Sequence, residues 1–333
     1  MRVTIKDVAS AAGVSVGTAS YALNGTGPVS QEKLRRVQDA AEALGYVPNG
    51  IAKALQAQSN GMIGYFAYSL TGPFFGQIMR GIEDTFNASD EEMIACSCSS
   101  VKKNVTRLLR ERMVDGAIVF GEHLEDSLIE RLAGPNCPVV VMDRPLHNEY
   151  ISSVVIDNEK CAYEVGRYIS ELGFRNVGCI IGKGPDAIRR NKGFRAAIRD
   201  FGLHMEKGWV LQGEFVYSIA REKVIRRLES KPELPEVIFA FNDEMALGAI
   251  HALQEQGYRI PEDISVIGMD DIPQAAISVP KLTTFHQPIY EHGAHAAETL
   301  LQMLRESAPG STTILTGYMV QRDSCRKLHN RSE

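Results

Sequence analysis

Residues 4 to 24, TIKDVASAAGVSVGTASYALN, spell two short helices joined by a tight turn. Thr4 precedes the first helix as an N-cap, and Asp7 answers it as a capping-box acid. Ile5, Val8 and Ala12 recur at helical spacing. Gly13 supplies the turn, where a left-handed backbone carries no steric penalty for glycine. Ser15 caps the second helix, which turns Val16, Gly17, Thr18, Ser20 and Tyr21 to one side and Val14, Ala19 and Leu23 inward. Two helices around a glycine turn, the second opening with small hydroxyl residues, form the helix-turn-helix arrangement that lays a recognition helix in the DNA major groove. A small helical bundle without nucleic acid is the competing reading of these residues.

A third helix follows. Ser30 caps a run from 31 to 44 whose Leu34, Val37, Ala41 and Leu44 share one face, with Gly45 just past its end. Tyr46-Val47-Pro48-Asn49 then breaks the pattern, and Asn49 can cap one more short helix from 50 to 57. That segment is too short and too weakly amphipathic to be stable alone. Its small Ala52 and Ala54 and its Leu55 suit a helix that forms only against a partner or in a groove, a plain linker being the alternative.

Charge is unevenly distributed. The 333 residues carry a net charge of −5, which would argue against DNA if it were uniform. Residues 1 to 60 hold six Lys/Arg against four Asp/Glu, a net of +2, and the remainder holds 30 against 37, a net of −7. A mildly basic head on an acidic body fits a local phosphate-binding surface. Helix N-termini and hydroxyls, those of Thr4 and Ser15 among them, must then share the phosphate contacts.

The length points to two or three domains. Hydrophobic residues at 44% and charged residues at 23% form an ordinary soluble balance. No apolar run is long enough to span a membrane, and the opening MRVTIKDVAS lacks the basic-then-apolar pattern of a signal peptide. The cysteines at 96, 98, 137, 161, 179 and 325 include one close pair, without the second pair or histidine of a zinc site. They are expected to be reduced, mostly buried thiols in the cytoplasm.

From Met62 onward, short apolar runs alternate with helical patterns. Strands are expected at 62–68, 93–98, 116–120, 138–143 and 154–157, with helices at 78–87, 105–112 and 124–133. The scheme repeats with strands at 176–182, 209–213, 237–241 and 264–270. Alternating units of this kind imply an α/β body of two doubly wound parallel-sheet lobes. Ligands of such lobes bind beyond the carboxyl ends of the strands. The residues there are Phe74 and Phe75, Asp143-Arg144, Asp157-Asn158, Asn242-Asp243 and Asp270-Asp271, with Arg190 before a helix and Phe215 after WVLQGE. Singly, each could be a cap or turn residue. Together they suit a sugar or other polyol, whose C–H face packs on an aromatic ring while adjacent hydroxyls meet bidentate polar groups.

Enzyme signatures are missing. Gly182-Lys183-Gly184 lacks the spacing of a phosphate loop, and no Ser-His-Asp, HExxH or paired-carboxylate pattern stands out among the eight histidines. No catalytic, metal or cofactor site is therefore expected. A periplasmic sugar-binding protein would share the body, but it would need a signal peptide and lack residues 1 to 57.

The pattern TIKDVA-x-x-AGVS-x-x-T-x-S-x-x-LN, then VS…R-x-x-V…A-x-x-LGY-x-PN…A-x-x-L, resembles the LacI/GalR family of bacterial transcription regulators. The likeness continues through PFF at 73–75, DGAIVF at 115–120, MDRP at 142–145, FNDEMALGAI at 241–250, ISVIGMDD at 264–271 and P-x-LTT-x-HQP at 280–288, and so spans essentially the whole chain. It implies a helix-turn-helix domain over 1–48, a hinge helix and linker over 49–60, and an effector-binding and dimerisation core of periplasmic-binding-protein type over 61–333. Lobe one would take 61–157 with 289–318, and lobe two 158–288 with 319–333. The resemblance further implies a homodimer on a pseudo-palindromic double-stranded operator, acting as a repressor of carbohydrate-utilisation genes and modulated by a small sugar-like effector. Phe74, Arg190, Phe215, Asn242 and Asp270 match the family's effector-cleft positions, while Asp143 and Asp157 are expected to stabilise the interlobe connections. Val16, Gly17 and Tyr21 are the expected base-facing positions, with Thr18, Ser20 and Asn24 toward phosphates. In the hinge, capped by Asn49, Leu55 would wedge between central base pairs and Ala52 would pack on the minor-groove floor.

Two features depart from the family. Tyr21 stands where an arginine is commonest, and Gly17 offers no side chain where a base reader often sits. Arginine can hold guanine through two bonds, whereas tyrosine brings one hydroxyl and a ring able to meet a thymine methyl. The operator is thus expected to differ at those half-site positions. The closing RDSCRKLHNRSE carries no leucine heptad of the kind that tetramerises some relatives, so a dimer is expected.

Overall fold

A computed structural model describes residues 3–25, 27–47, 61–89, 91–98, 105–122, 124–230 and 233–328. Asn49, Ala52 and Leu55, and with them the expected hinge helix, lie outside the described residues. The chain divides into a small N-terminal unit and a large body.

The N-terminal unit contains α1 (Ile5–Ala12), α2 (Val16–Asn24) and α3 (Gln31–Ala43). Thr4 starts α1 by donating from N and Oγ1 to Asp7 Oδ2, at 2.8 and 2.7 Å. Gly13 ends it at φ 63°, and the amides of Gly13 and Val14 bond back to Ser10 O and Ala9 O. Arg36 of α3 donates to Ala12 O at 2.5 Å, setting a cation at the carboxyl end of α1 where the helix dipole favours it. The core is built from small residues: Val8, Ala9, Ala12, Ala19, Ala22, Val37 and Ala41. Val14 and Leu23 pack against it half-buried, whereas Leu44, expected on the inner face of α3, is exposed because the helix has ended at Ala43.

In the body, the first sheet comprises β1 (Met62–Ala67), β2 (Glu92–Ser97), β3 (Gly116–Phe120), β4 (Val139–Met142), β5 (Ile151–Ile156) and β11 (Thr312–Leu315), in the order β11-β5-β4-β3-β1-β2. The second comprises β6 (Asn176–Ile181), β7 (His204–Gln212), β8 (Val237–Ala240), β9 (Ser265–Asp270), β10 (Thr283–His286) and β12 (Tyr318–Val320), in the order β12-β10-β9-β8-β6-β7. The pairings of β3 with β1 and β4, of β6 with β7 and β8, and of β9 with β8 and β10 are parallel, as are β4–β5 and β5–β11. The β10–β12 pair is antiparallel. Every strand expected from the sequence is present, and β10, β11 and β12 are additional.

Helices α4 (Pro73–Asn87), α5 (Val105–Arg110), α6 (Asp126–Leu132) and α11 (Ile289–Glu306) accompany the first sheet, with α4 packed on α11. Helices α7 (Asn158–Glu171), α8 (Pro185–Asp200), α9 (Tyr217–Glu229) and α10 (Asp243–Glu255) accompany the second. Each lobe has its own core, one around Tyr65, Phe86 and Leu300, the other around Trp209, Phe194 and Phe239. The chain passes between lobes three times: at Ile156 to Asn158, at His286 to Ile289, and at Leu315 to Tyr318. Five of the six cysteines are buried. No described helix is long and apolar enough to cross a membrane.

Candidate functional site

The N-terminal unit presents a compact polar face on α2. Ser15 caps the helix by accepting from Thr18 N at 3.1 Å, and its hydroxyl lies 2.9 Å from Thr18 Oγ1. One turn on, Asn24 Nδ2 donates to Ser20 Oγ at 3.3 Å. The hydroxyls expected to meet phosphates are therefore already ordered in pairs. Val16 and Tyr21 project from the same helix, 44% and 50% exposed, with Gly17 exposed beside them. The Tyr21 ring lies against Gly27, where any side chain would collide with it. That contact covers one part of the ring and leaves the rest of Tyr21 exposed.

Within the body, the loops at the carboxyl ends of both sheets meet at a cleft of roughly 560 Å³ that is open to solvent, and Phe74, Arg190, Phe215, Asn242 and Asp270 all line it. Phe74 comes from the first turn of α4 and packs edge-on against Phe75, ring centroids 5.2 Å apart. Phe75 itself belongs mainly to the first lobe's core. The charged groups come from the second lobe, while the first lobe also contributes Tyr68 and Thr71. Arg190 on α8 is only 4% exposed. Its Nε donates to Asn158 Oδ1 at 2.7 Å, Nη2 to Gln287 Oε1 at 3.1 Å, and Nη1 to Phe241 O and, at 3.4 Å, to Asp270 Oδ1. Its guanidinium stands 5.5 Å over the Phe215 ring.

Local sequence explains this placement. A Cβ at Gly193 would collide with Glu159 O, so glycine there lets α8 lie directly on α7 and brings Arg190 to Asn158. A Cβ at Gly182 would strike the Phe215 ring. Gly182 of the Gly182-Lys183-Gly184 run thus serves aromatic packing. Asn242 caps α10, its Oδ1 accepting from Met245 N at 3.0 Å, while its Nδ2 donates to Phe215 O at 3.3 Å. It positions the ring as well as lining the cleft. Asp143, Phe215 and Asp270 hold positive φ, at 73°, 64° and 123°. Such backbone costs about 1–3 kcal/mol per residue and tends to persist where a site requires it.

Burial raises the Asp270 carboxyl well above its ordinary range, with Arg190 opposing. Burial and then the charge of Asp186 bring Asp143 to about 7. Arg189 of the second lobe donates to Asp143 O at 3.2 Å and to Asp186 Oδ1 at 3.1 Å, so Asp143 sits at an interlobe contact. Asp157 caps α7 at the first crossing by accepting from Lys160 N at 3.0 Å. Sequence reasoning missed Tyr68, Asp186 and Glu244, which also line the cleft. The signals were available: Tyr68 ends the first apolar run, Asp186 precedes Arg190 by one helical turn, and Glu244 follows Asn242 in FNDE.

Comparison with known proteins bears on the family and the fold. Residues 4–49 match the profile of bacterial regulatory proteins, lacI family, and residues 167–325 that of the periplasmic binding protein-like domain. The HTH-type transcriptional regulator DegA of Bacillus subtilis (strain 168) is 34% identical over 310 residues, covering 90% of each chain. The HTH-type transcriptional repressor PurR of Aliivibrio salmonicida (strain LFI1238) is 33% identical over 309 residues, covering 91% of this chain and 92% of its own. Among solved structures, a transcriptional regulator CelR–cellobiose complex matches with a TM-score of 0.71 at 26% identity, over 97% of this chain and 100% of that one. A LacI family transcriptional regulator from Enterococcus faecium with bound ribose matches with a TM-score of 0.71 at 27% identity, over 80% and 100%.

Proposed function

Because the chain belongs to the LacI family of DNA-binding transcription regulators, with an effector-binding body, we propose that it represses carbohydrate-utilisation genes and answers to a small sugar or sugar derivative in the interlobe cleft. It would do so in the cytoplasm, without catalysis. The observation that carries the sugar reading is the division of labour in the cleft: Phe74 of one lobe faces a set of Arg, Asp and Asn groups from the other. A sugar has an apolar C–H face and a hydroxylated edge, and this cleft offers a surface for each. Cellobiose and ribose in two matched regulators support the same class.

On DNA, one recognition helix covers only a few base pairs, so the protein binds as a two-fold dimer to a pseudo-palindromic operator. Val16, Gly17 and Tyr21 meet base edges, and Thr4, Ser15, Thr18, Ser20 and Asn24 meet the backbone. Leu55, outside the described residues, would act as the minor-groove wedge on the operator. The test is a melting-temperature screen of the purified protein against sugars, followed by an operator titration with and without each hit. A hit that changes operator affinity supports the proposal, and hits that leave it unchanged refute the cleft as a switch.

A further inference from the structure

The charge of the effector follows from how the cleft's own charges are engaged. Three carboxylates, Asp186, Glu244 and Asp270, line it against one guanidinium, that of Arg190. Arg190 is turned toward the protein, bonded to Asn158, Phe241 O, Asp270 and Gln287. The neighbouring Arg189 is held by Asp186 and by Asp143 O. An anionic ligand would therefore meet carboxylates before any open cation among the described residues.

Glu244 differs from the other two acids. It is the second residue of α10, half-buried, and among the described residues it has no hydrogen-bond or ion-pair partner. Its Oε1 stands 4.0 Å from where a side chain at Gly72 of the first lobe would begin, so it faces across the cleft. Burial raises its carboxyl, while its place in the first turn of a helix favours the charged form. A carboxylate with open acceptor sites, turned into a half-dry cleft, takes hydroxyl protons and repels phosphate.

We infer that the effector is an unphosphorylated, hydroxyl-rich compound with no anionic group, and that Glu244 accepts its hydroxyl protons. This rests on the sugar reading of the cleft given above. The experiment titrates the full chain with matched pairs: glucose and glucose 6-phosphate, ribose and ribose 5-phosphate, cellobiose and cellobiose 6′-phosphate. At least one neutral sugar should bind, with its phosphate ester weaker by about a hundredfold. Glu244→Gln keeps the shape and removes the charge. It should weaken the neutral sugar about tenfold and narrow the gap to the ester. An ester that binds as tightly as its parent overturns the inference while leaving a sugar effector in place. Silence from every pair overturns the sugar reading, and this inference with it. Unchanged affinity of Glu244→Gln for the neutral sugar removes Glu244 from the site.

Discussion

Replacing Arg190 by alanine should destabilise the second lobe by about 3–5 kcal/mol, the cost of leaving a buried charge without its partner. Arg190 and Asp270 each leave only 5% of the side chain exposed. The arginine also satisfies Asn158 Oδ1 at 2.7 Å and Gln287 Oε1 at 3.1 Å. Each such bond contributes roughly 1.5–3 kcal/mol when one partner is charged, yet the values do not add, because the acceptors share one guanidinium. Proton uptake offers a partial escape. Burial already raises the Asp270 carboxyl, and removing the opposing arginine raises it further. A carboxyl raised in the folded state destabilises nothing below its ordinary 3.8 and progressively more as pH climbs toward the folded value. Arg190→Ala should therefore lose more stability at pH 8 than at pH 5.5, and Arg190→Ala with Asp270→Asn should recover much of the loss. Thermal unfolding of the wild type, both single variants and the double variant at the two pH values measures this, with a drop on the order of 10 °C for Arg190→Ala at pH 8. Operator binding without ligand should survive below the transition, while the effector response disappears. If Arg190→Ala melts with the wild type at both pH values, the buried network does not hold the lobe. If its effector response is intact, the effector sits elsewhere.

Tyr21→Ala should relax specificity at one half-site position by roughly 1–3 kcal/mol; identical preferences of the two proteins in a binding-site selection would refute the assignment. Asp143 reaches about 7 through burial and the nearby Asp186, with Arg144 and Arg189 opposing. Asp143→Asn should therefore match the wild type near pH 4 and melt above it at pH 8, and a melting difference that does not grow between those values would count against a carboxyl raised by burial and by Asp186. Leu55→Gly should lose operator affinity and DNA bending together while the body stays folded, and full bending by that variant would eliminate the wedge.

The DNA-binding head was legible almost residue by residue because its signals are local: the Thr4–Asp7 cap, the Gly13 turn and the Ser15 cap each act within four residues. The central parallel strands were equally plain, since burial on both faces makes them continuous apolar runs, whereas the first half of β7, partly exposed and polar from His204 to Gly208, was missed. Strand β10 was hidden because it buries threonines. Thr284 Oγ1 donates to Asp243 Oδ1 at 2.5 Å, and Thr283 Oγ1 accepts from Arg322 N at 2.9 Å, so residues that look polar in sequence are interior here. The start of β5 was missed for the same reason, with Ser152 and Ser153 buried. In the cleft, the five expected residues come together, but the pairing of Asn242 with Phe215 O and the open carboxylate of Glu244 depend on contacts that no local pattern encodes.

Those long-range contacts also bear on how a ligand could switch the protein. Gln287 is 1% exposed and uses both ends of its amide, Oε1 accepting from Arg190 and Nε2 donating to Asn158 Oδ1 at 3.2 Å. Asn158 and Gln287 lie at two of the three crossings between lobes, and at the third a Cβ on Gly317 would collide with His286 O. The cleft arginine is thus bonded directly to residues at two of the three crossings between lobes. A ligand changes operator affinity only if it binds one interlobe geometry better than another. On the proposed reading, a ligand that draws on Arg190 or Asp270 would disturb or reinforce these bonds at the crossings and so bind one interlobe geometry better than another. The resulting coupling, about 1–3 kcal/mol in typical systems, is reciprocal. If the proposed sugar is the effector, operator DNA alters its affinity by the same factor that the sugar alters operator affinity, and the sign of both is set by which geometry the Arg190–Asn158–Gln287 network favours.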